Sequence, residues 1–225
     1  LLASHPDVYG AGELYKMNSL LSPLLSEYDD LTDRGAMPET LFALTANIAK
    51  AYQDEITRLS GNENRVTDKM PLNFQWLGMI LLTVPGAKIV HIARHPVATC
   101  FSNYKHFFSH QGNGFAYDQK DTAEFYLLYQ NLMDFWNHHL PGEIYNLSYE
   151  ALTENQEHET RRLLKFCGLD WNDACLDFHS TKRAVTTASA AQVRRKMYQG
   201  SSEAWKRYES HLQPMIQILD RSLAS

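Results

Sequence analysis

Strand and helix signals alternate along this chain, and the alternation predicts an α/β protein built on a parallel sheet. Three observations carry that prediction. Short apolar runs recur between longer segments whose apolar residues are spaced by three and four. Proline and glycine punctuate the changes from one pattern to the other. Arg94 sits directly behind the apolar run Ala87-Lys88-Ile89-Val90-His91-Ile92-Ala93 and is followed by His95-Pro96. A run of this kind reads as a buried parallel strand and Pro96 fits the first position of a helix, so Arg94 falls at a strand's carboxyl end. Open α/β sheets bind ligands in that crevice. The guanidinium fork suits a phosphate, and the following helix opens with unpaired N–H groups and the positive end of its dipole.

The elements follow in order. Leu1-Leu2-Ala3-Ser4-His5-Pro6 reads as the last turn of a helix already under way, closed by proline, so residues are expected upstream of Leu1. Val8 to Ala11 reads as a short strand with Gly12-Glu13 as a turn at its end, and 14–37 as loop. Pro38-Glu39 opens a long helix marked by Leu41, Leu44, Ile48, Tyr52, Ile56 and Leu59, which Ser60-Gly61-Asn62 ends. Arg65 to Asp68 is a second strand, leading through Lys69-Met70-Pro71 into a helix over roughly 73–83, and 87–93 is the third strand. A helix from Pro96 to about Phe107 and a polar loop over 109–118 come next. Phe125, Leu128, Leu132, Phe135 and His139 mark another helix, and Pro141-Gly142 ends it before a fourth strand, Glu143 to Leu147. Helices then dominate: Glu157 to Cys167 with Gly168 as its stop, a short one near 172–179, and a last one carrying Leu212, Ile216, Leu219 and Leu223.

Bulk properties narrow the function classes. A chain of 225 residues with 44% hydrophobic content can bury roughly 70–75% of its unfolded surface without metal or disulfide staples. Cys100, Cys167 and Cys175 are odd in number, unrelated in spacing and within helical segments. That argues against a disulfide framework and for a reducing, cytoplasmic compartment. A net charge of -5 and a pI near 6.1 argue against nucleic acid as a partner, since backbone binding usually leaves a basic stripe. The apolar stretch Met79 to Val84 is too short to span a bilayer and nothing resembles a signal peptide, so the chain reads as soluble.

Four polar side chains fall just past the four strands: Glu13, Lys69, Arg94 and Tyr149. In one parallel sheet those ends share an edge, so residues remote in sequence converge on one crevice. Each taken alone reads equally as an ordinary loop residue. Other candidates carry less. His106 and His110 stand four apart with no carboxylate or cysteine at a matching spacing for zinc, and His91 and His95 lie on a strand and turn that do not share a face. Gly10-Ala11-Gly12 is too short for a dinucleotide fingerprint, and no Gly-x-x-x-x-Gly-Lys-Ser/Thr loop occurs.

The stretch Val66-Thr67-Asp68-Lys69-Met70-Pro71-Leu72-Asn73-Phe74, then Ala87 to Ala93, then Arg94-His95-Pro96 with Ser102, resembles the core of sulfotransferases that use 3′-phosphoadenosine 5′-phosphosulfate (PAPS). The likeness is to bacterial sulfotransferase domains often joined to tetratricopeptide repeats, and more distantly to tyrosylprotein sulfotransferases. Ala3 to Val8, Gly12-Glu13, Ser148-Tyr149-Glu150 and Ser189 through Gln192-Val193-Arg194 extend it over nearly the whole chain. The resemblance implies a single sulfotransferase domain over 1–225 with a P-loop-NTPase-like parallel sheet flanked by helices. Its first strand and 5′-phosphosulfate loop, an Arg-Ser-Gly-Thr-type turn, are expected just upstream of Leu1.

By the same resemblance Arg94 and Ser102 hold the 3′-phosphate, and Tyr149 and Ser189 complete the nucleotide site. Lys69 faces the transferring sulfuryl group and Glu13 is the base. The co-substrate is PAPS, no metal is used, and the acceptor is a hydroxyl on a protein tyrosine, a sugar or a small alcohol or phenol. Ser102 lies about 9 Å along the helix from Pro96, so position alone favours Thr99 instead. Two departures stand out. His106, with Lys105 beside it, occupies the place of a second arginine in tyrosylprotein sulfotransferases, and Ala204 precedes Trp205 where a basic residue is expected, leaving Lys206 or Lys196 as substitutes. Rival readings are a non-catalytic nucleotide-binding module and a nucleoside or nucleotide kinase.

Overall fold

The structure, a computed structural model, describes residues 1–23, 38–61, 63–108, 112–180 and 197–223. It is a mixed α/β fold. Strands β1 (Val8–Gly12) and β2 (Arg65–Asp68) pair in parallel, and β3 (Ile89–Ala93) pairs with β4 (Ile144–Ser148). The helices are α1 (16–23), α2 (Pro38–Leu59), α3 (Leu77–Thr83), α4 (Pro96–Tyr104), α5 (Gln119–His139), α6 (Tyr149–Glu154), α7 (Gln156–Cys167) and α8 (Gln213–Leu223). None of the described helices is long and apolar enough to cross a membrane.

Local signals start and stop these elements. Pro96 stands at the opening of α4. Asp118 caps α5 by accepting the N–H groups of Lys120 and Asp121 at 2.7 and 3.1 Å, while His138 and His139 lie in the last turn, near the negative end of the dipole. Ser148 caps α6 through the Ala151 N–H. Gly168, at φ 65°, closes α7, and the Leu169 N–H returns to the Leu164 carbonyl at 2.9 Å.

The differences from the sequence reading share a cause: short stretches carry too few periodic positions to distinguish helix types. Residues 16–23 were expected within a loop but form α1, which buries Met17 and Leu21, one turn apart. The helix expected over 73–83 divides into a 3₁₀ segment, Pro71–Trp76, and α3. Helix α4 stops at Tyr104 rather than near Phe107. The region 172–179 holds two 3₁₀ turns, Asp173–Cys175 and Phe178–Ser180, and an unanticipated 3₁₀ segment runs from Ser201 to His211.

The chain divides into two compact units, one of residues 1–89 and 164–196, the other of 90–163 and 197–225. In the first, Met17, Leu21, Ile48, Tyr52 and Trp76 form a buried cluster joining α1, α2 and the end of the Pro71–Trp76 segment. In the second, Val97 and Cys100 of α4 pack with Ala123 of α5 and Met215 and Leu219 of α8. Burial pushes the Cys100 thiol up to about 12, which leaves it a packing residue.

Candidate functional site

In the first unit the register of β1 on β2 sets the geometry. Gly10 lies opposite Thr67 and Gly12 opposite Asp68, so Ala11 is an extra residue in a bulge. The stretch Gly10-Ala11-Gly12 is therefore the bulged end of a strand that runs through Gly12, which was expected from sequence to begin a turn. Gly12 has φ 78°, in the left-handed region that favours glycine. The bulge turns the chain so that Glu13 leaves β1 beside the end of β2, where the Lys69 ammonium donates to Glu13 Oε1. The main chain is tied as well, because the Lys69 N–H donates to the Gly12 carbonyl at 2.7 Å.

Asp68, which was not singled out from sequence, is the hub of this edge. Its Oδ1 accepts the Leu14 N–H at 3.1 Å, and its Oδ2 accepts the Tyr52 hydroxyl at 2.9 Å and Asn73 Nδ2 at 3.2 Å. Burial raises the Asp68 carboxyl above its ordinary value despite the Leu14, Tyr52, Asn73 and Met70 donors that favour the anion. Burial, with the neighbouring carboxylate, also raises the Tyr52 phenol. His5 is fixed differently. Its Nδ1 accepts the Asp7 N–H at 3.1 Å, which leaves Nε2 to donate to the Asp170 carbonyl at 3.0 Å. Both ring nitrogens thus serve to pin the chain.

In the second unit Arg94 follows β3 and Tyr149 opens α6 after β4. The guanidinium lies 5.0 Å over the Tyr149 ring. Its Nε donates to Ser202 Oγ at 3.1 Å and an Nη to the Ser201 carbonyl at 2.6 Å. The Ser201 hydroxyl donates to the Tyr149 oxygen at 3.0 Å. Glu150 completes the cluster: its Oε1 accepts the Ser202 hydroxyl at 2.5 Å and the His95 N–H at 3.1 Å. Burial disfavours the Glu150 anion, but the bonds from Ser202, the His95 N–H and Ser148 outweigh it and hold the carboxyl below its ordinary value. The His95 ring stacks on Trp205 at 5.5 Å.

The six residues expected from sequence therefore fall into three sets. Glu13 and Lys69 meet, and Arg94 and Tyr149 meet. Ser102 is a half-buried residue of α4, and Ser189 lies outside the described residues. Thr99, favoured by position alone, turns its hydroxyl back to the His95 carbonyl at 3.2 Å. Of the substitute cations, Lys206 pairs with Glu203, Lys105 lies 5.0 Å from the Phe101 ring, and Lys196 is outside the described residues. Ser201, Ser202, Glu150, Asp68 and Tyr52 were missed. Their one local signal is adjacency, since Glu150 follows Tyr149 and Asp68 precedes Lys69.

The structure is a mixed α/β fold with polar residues behind its strands in each unit, and comparison with known proteins assigns the family. The Sulfotransferase family signature matches residues 1–173, which run through both compact units, and the chain belongs to that family. It is also similar to an uncharacterized protein of Aquifex aeolicus (strain VF5), 37% identical over 97% of this chain. The chain spans 30% of that protein's length.

Proposed function

We propose that this chain, as a single domain, transfers a sulfuryl group from PAPS to a hydroxyl acceptor without a metal. Family membership supports the sulfotransferase reading, and the observation that carries the assignment of roles is the Glu13–Lys69 ion pair across the carboxyl ends of β1 and β2. Sulfuryl transfer needs in-line positioning, stabilisation of charge on the leaving oxygen and an oriented nucleophile. The acceptor oxygen forms a new bond to sulfur as the bond from sulfur to the 5′-phosphate oxygen breaks. Glu13 takes the acceptor's proton, and Lys69 stabilises the charge left on the 5′-phosphate of 3′-phosphoadenosine 5′-phosphate (PAP).

Arg94, Ser102, Tyr149 and Ser189 are assigned to the nucleotide. The Arg94 fork suits the 3′-phosphate, and Tyr149 beneath it limits the directions in which the guanidinium can point. The test is transfer of radiolabelled sulfate by the full-length protein to tyrosine peptides, sugars and phenols. Glu13→Gln is expected to lower turnover by roughly 10²- to 10⁴-fold with PAP affinity unchanged. Lys69→Ala is expected to lower it by about 10²- to 10³-fold. PAP binding without sulfate transfer to any acceptor would identify a non-catalytic nucleotide module instead, and phosphate transfer from ATP a kinase.

A further inference from the structure

We propose that Asp68 is the positioning residue of the Glu13–Lys69 pair, its carboxylate holding the main chain just past Glu13, next to Lys69, and so fixing where the two meet. The inference rests on the sulfotransferase reading above. Leu14 follows Glu13, and its N–H donates to Asp68 Oδ1 at 3.1 Å. The peptide before Glu13 is held too, through the Gly12 carbonyl and the Lys69 N–H. Glu13 is thus bracketed on both sides by bonds to β2 or its continuation.

The choice of residue follows from counting acceptors. Leu14, Tyr52 and Asn73 bring three donors to one side chain. A carboxylate offers about four lone-pair sites and no competing donor, whereas an asparagine offers one oxygen and two N–H donors. The Tyr52 hydroxyl reaches Asp68 from α2, and Tyr52 is itself buried against Met17, Leu21 and Trp76. The clamp is therefore anchored in the core of its unit rather than in the loop it controls. Asn73 adds a further detail, because its Oδ1 is buried without a partner among the described residues while its Nδ2 serves Asp68.

The test compares Asp68→Ala, Asp68→Asn and Tyr52→Phe in the full-length protein by three readouts: steady-state sulfate transfer, hydrogen exchange at the Leu14 amide, and the rate at which Lys69 is acetylated, followed by mass spectrometry. Asp68→Ala is expected to lower kcat by about 10- to 100-fold, the scale set by small misplacements of reacting groups. KM for PAPS should stay within about twofold, because a positioning defect acts in the transition state. Leu14 exchange should accelerate, and Lys69 acetylation should move from the wild-type rate to that of Glu13→Gln. Asp68→Asn should recover part of kcat, since its amide can donate to the unpaired Asn73 Oδ1. Tyr52→Phe, which removes one donor and keeps the core ring, should give a smaller loss and carries the test if Asp68→Ala does not fold. Undiminished kcat in a variant with accelerated Leu14 exchange overturns the proposal, as do wild-type exchange and acetylation rates in Asp68→Ala. If the wild-type protein transfers no sulfate, the functional reading fails, and exchange and acetylation alone then decide whether Asp68 holds the pair.

Discussion

Arg94 stabilises its surroundings through a fork that already spans the Ser201 carbonyl and the Ser202 hydroxyl, so its geometry matters as much as its charge. Arg94→Ala is expected to weaken PAP by about 1.5–3 kcal/mol, or roughly 10- to 100-fold. Arg94→Lys should recover little of that. Calorimetry with PAP and with the nucleotide lacking the 3′-phosphate checks the assignment, because equal affinity for the two ligands would remove it.

Two carboxylates should respond to acid in opposite senses. Asp68 is raised from 3.8, so the folded state holds its proton more tightly than the unfolded chain. Its contribution is complete below the ordinary value and lost as pH rises through the folded one. Acidification from neutral toward 3.8 should therefore move stability in favour of wild type over Asp68→Asn. Glu150 is lowered from 4.5, so its contribution is present above that value and lost as pH falls through the folded one. The advantage of wild type over Glu150→Gln should shrink below pH 4.5. Urea titrations of the three proteins across this range give both signs.

At the level of elements, the bulged end of β1 is the part whose backbone most directly positions Glu13, the proposed base. A Cβ at Gly12 would meet nothing within 4 Å, so substitution there is a matter of backbone conformation and not of space. With φ at 78°, Gly12→Ala should cost about 1–2 kcal/mol. It should also lower turnover, because Glu13 leaves the strand at the next residue. A shifted urea midpoint with unchanged turnover would show that the bulge stabilises β1 without aiming Glu13.

For the molecule as a whole, the two units each carry a core that can be probed separately. Leu21 is 1% exposed in the first and Leu219 is 2% exposed in the second. Leu21→Ala and Leu219→Ala are each expected to destabilise by about 2–5 kcal/mol, the range for a wholly buried leucine. Denaturant unfolding measures both, and a cost below about 1 kcal/mol at either position would contradict its burial. With a net charge of -5 the overall field gives an anionic nucleotide no attraction, so the proposed contacts to it have to be local.

What the amino-acid order determined was whatever repeats over a short distance. The alternation of apolar runs with three-and-four spacing located the four strands seen among the described residues and the helices α2, α4, α5, α7 and α8 to within a few residues. Proline and glycine marked several of their ends. Because a residue just past a strand is marked by that strand, Glu13, Lys69, Arg94 and Tyr149 were legible as candidates, and family likeness added Ser102 and Ser189. Tertiary structure alone decided which of them touch. The partners of Asp68 come from residues 14, 52 and 73, and those of Arg94 from residues 149, 201 and 202. No periodicity links such positions. Side chains separated by up to 108 residues become neighbours only when the chain between them has packed, so the clamp behind Glu13 and the hydroxyls around Arg94 were invisible until the fold was known.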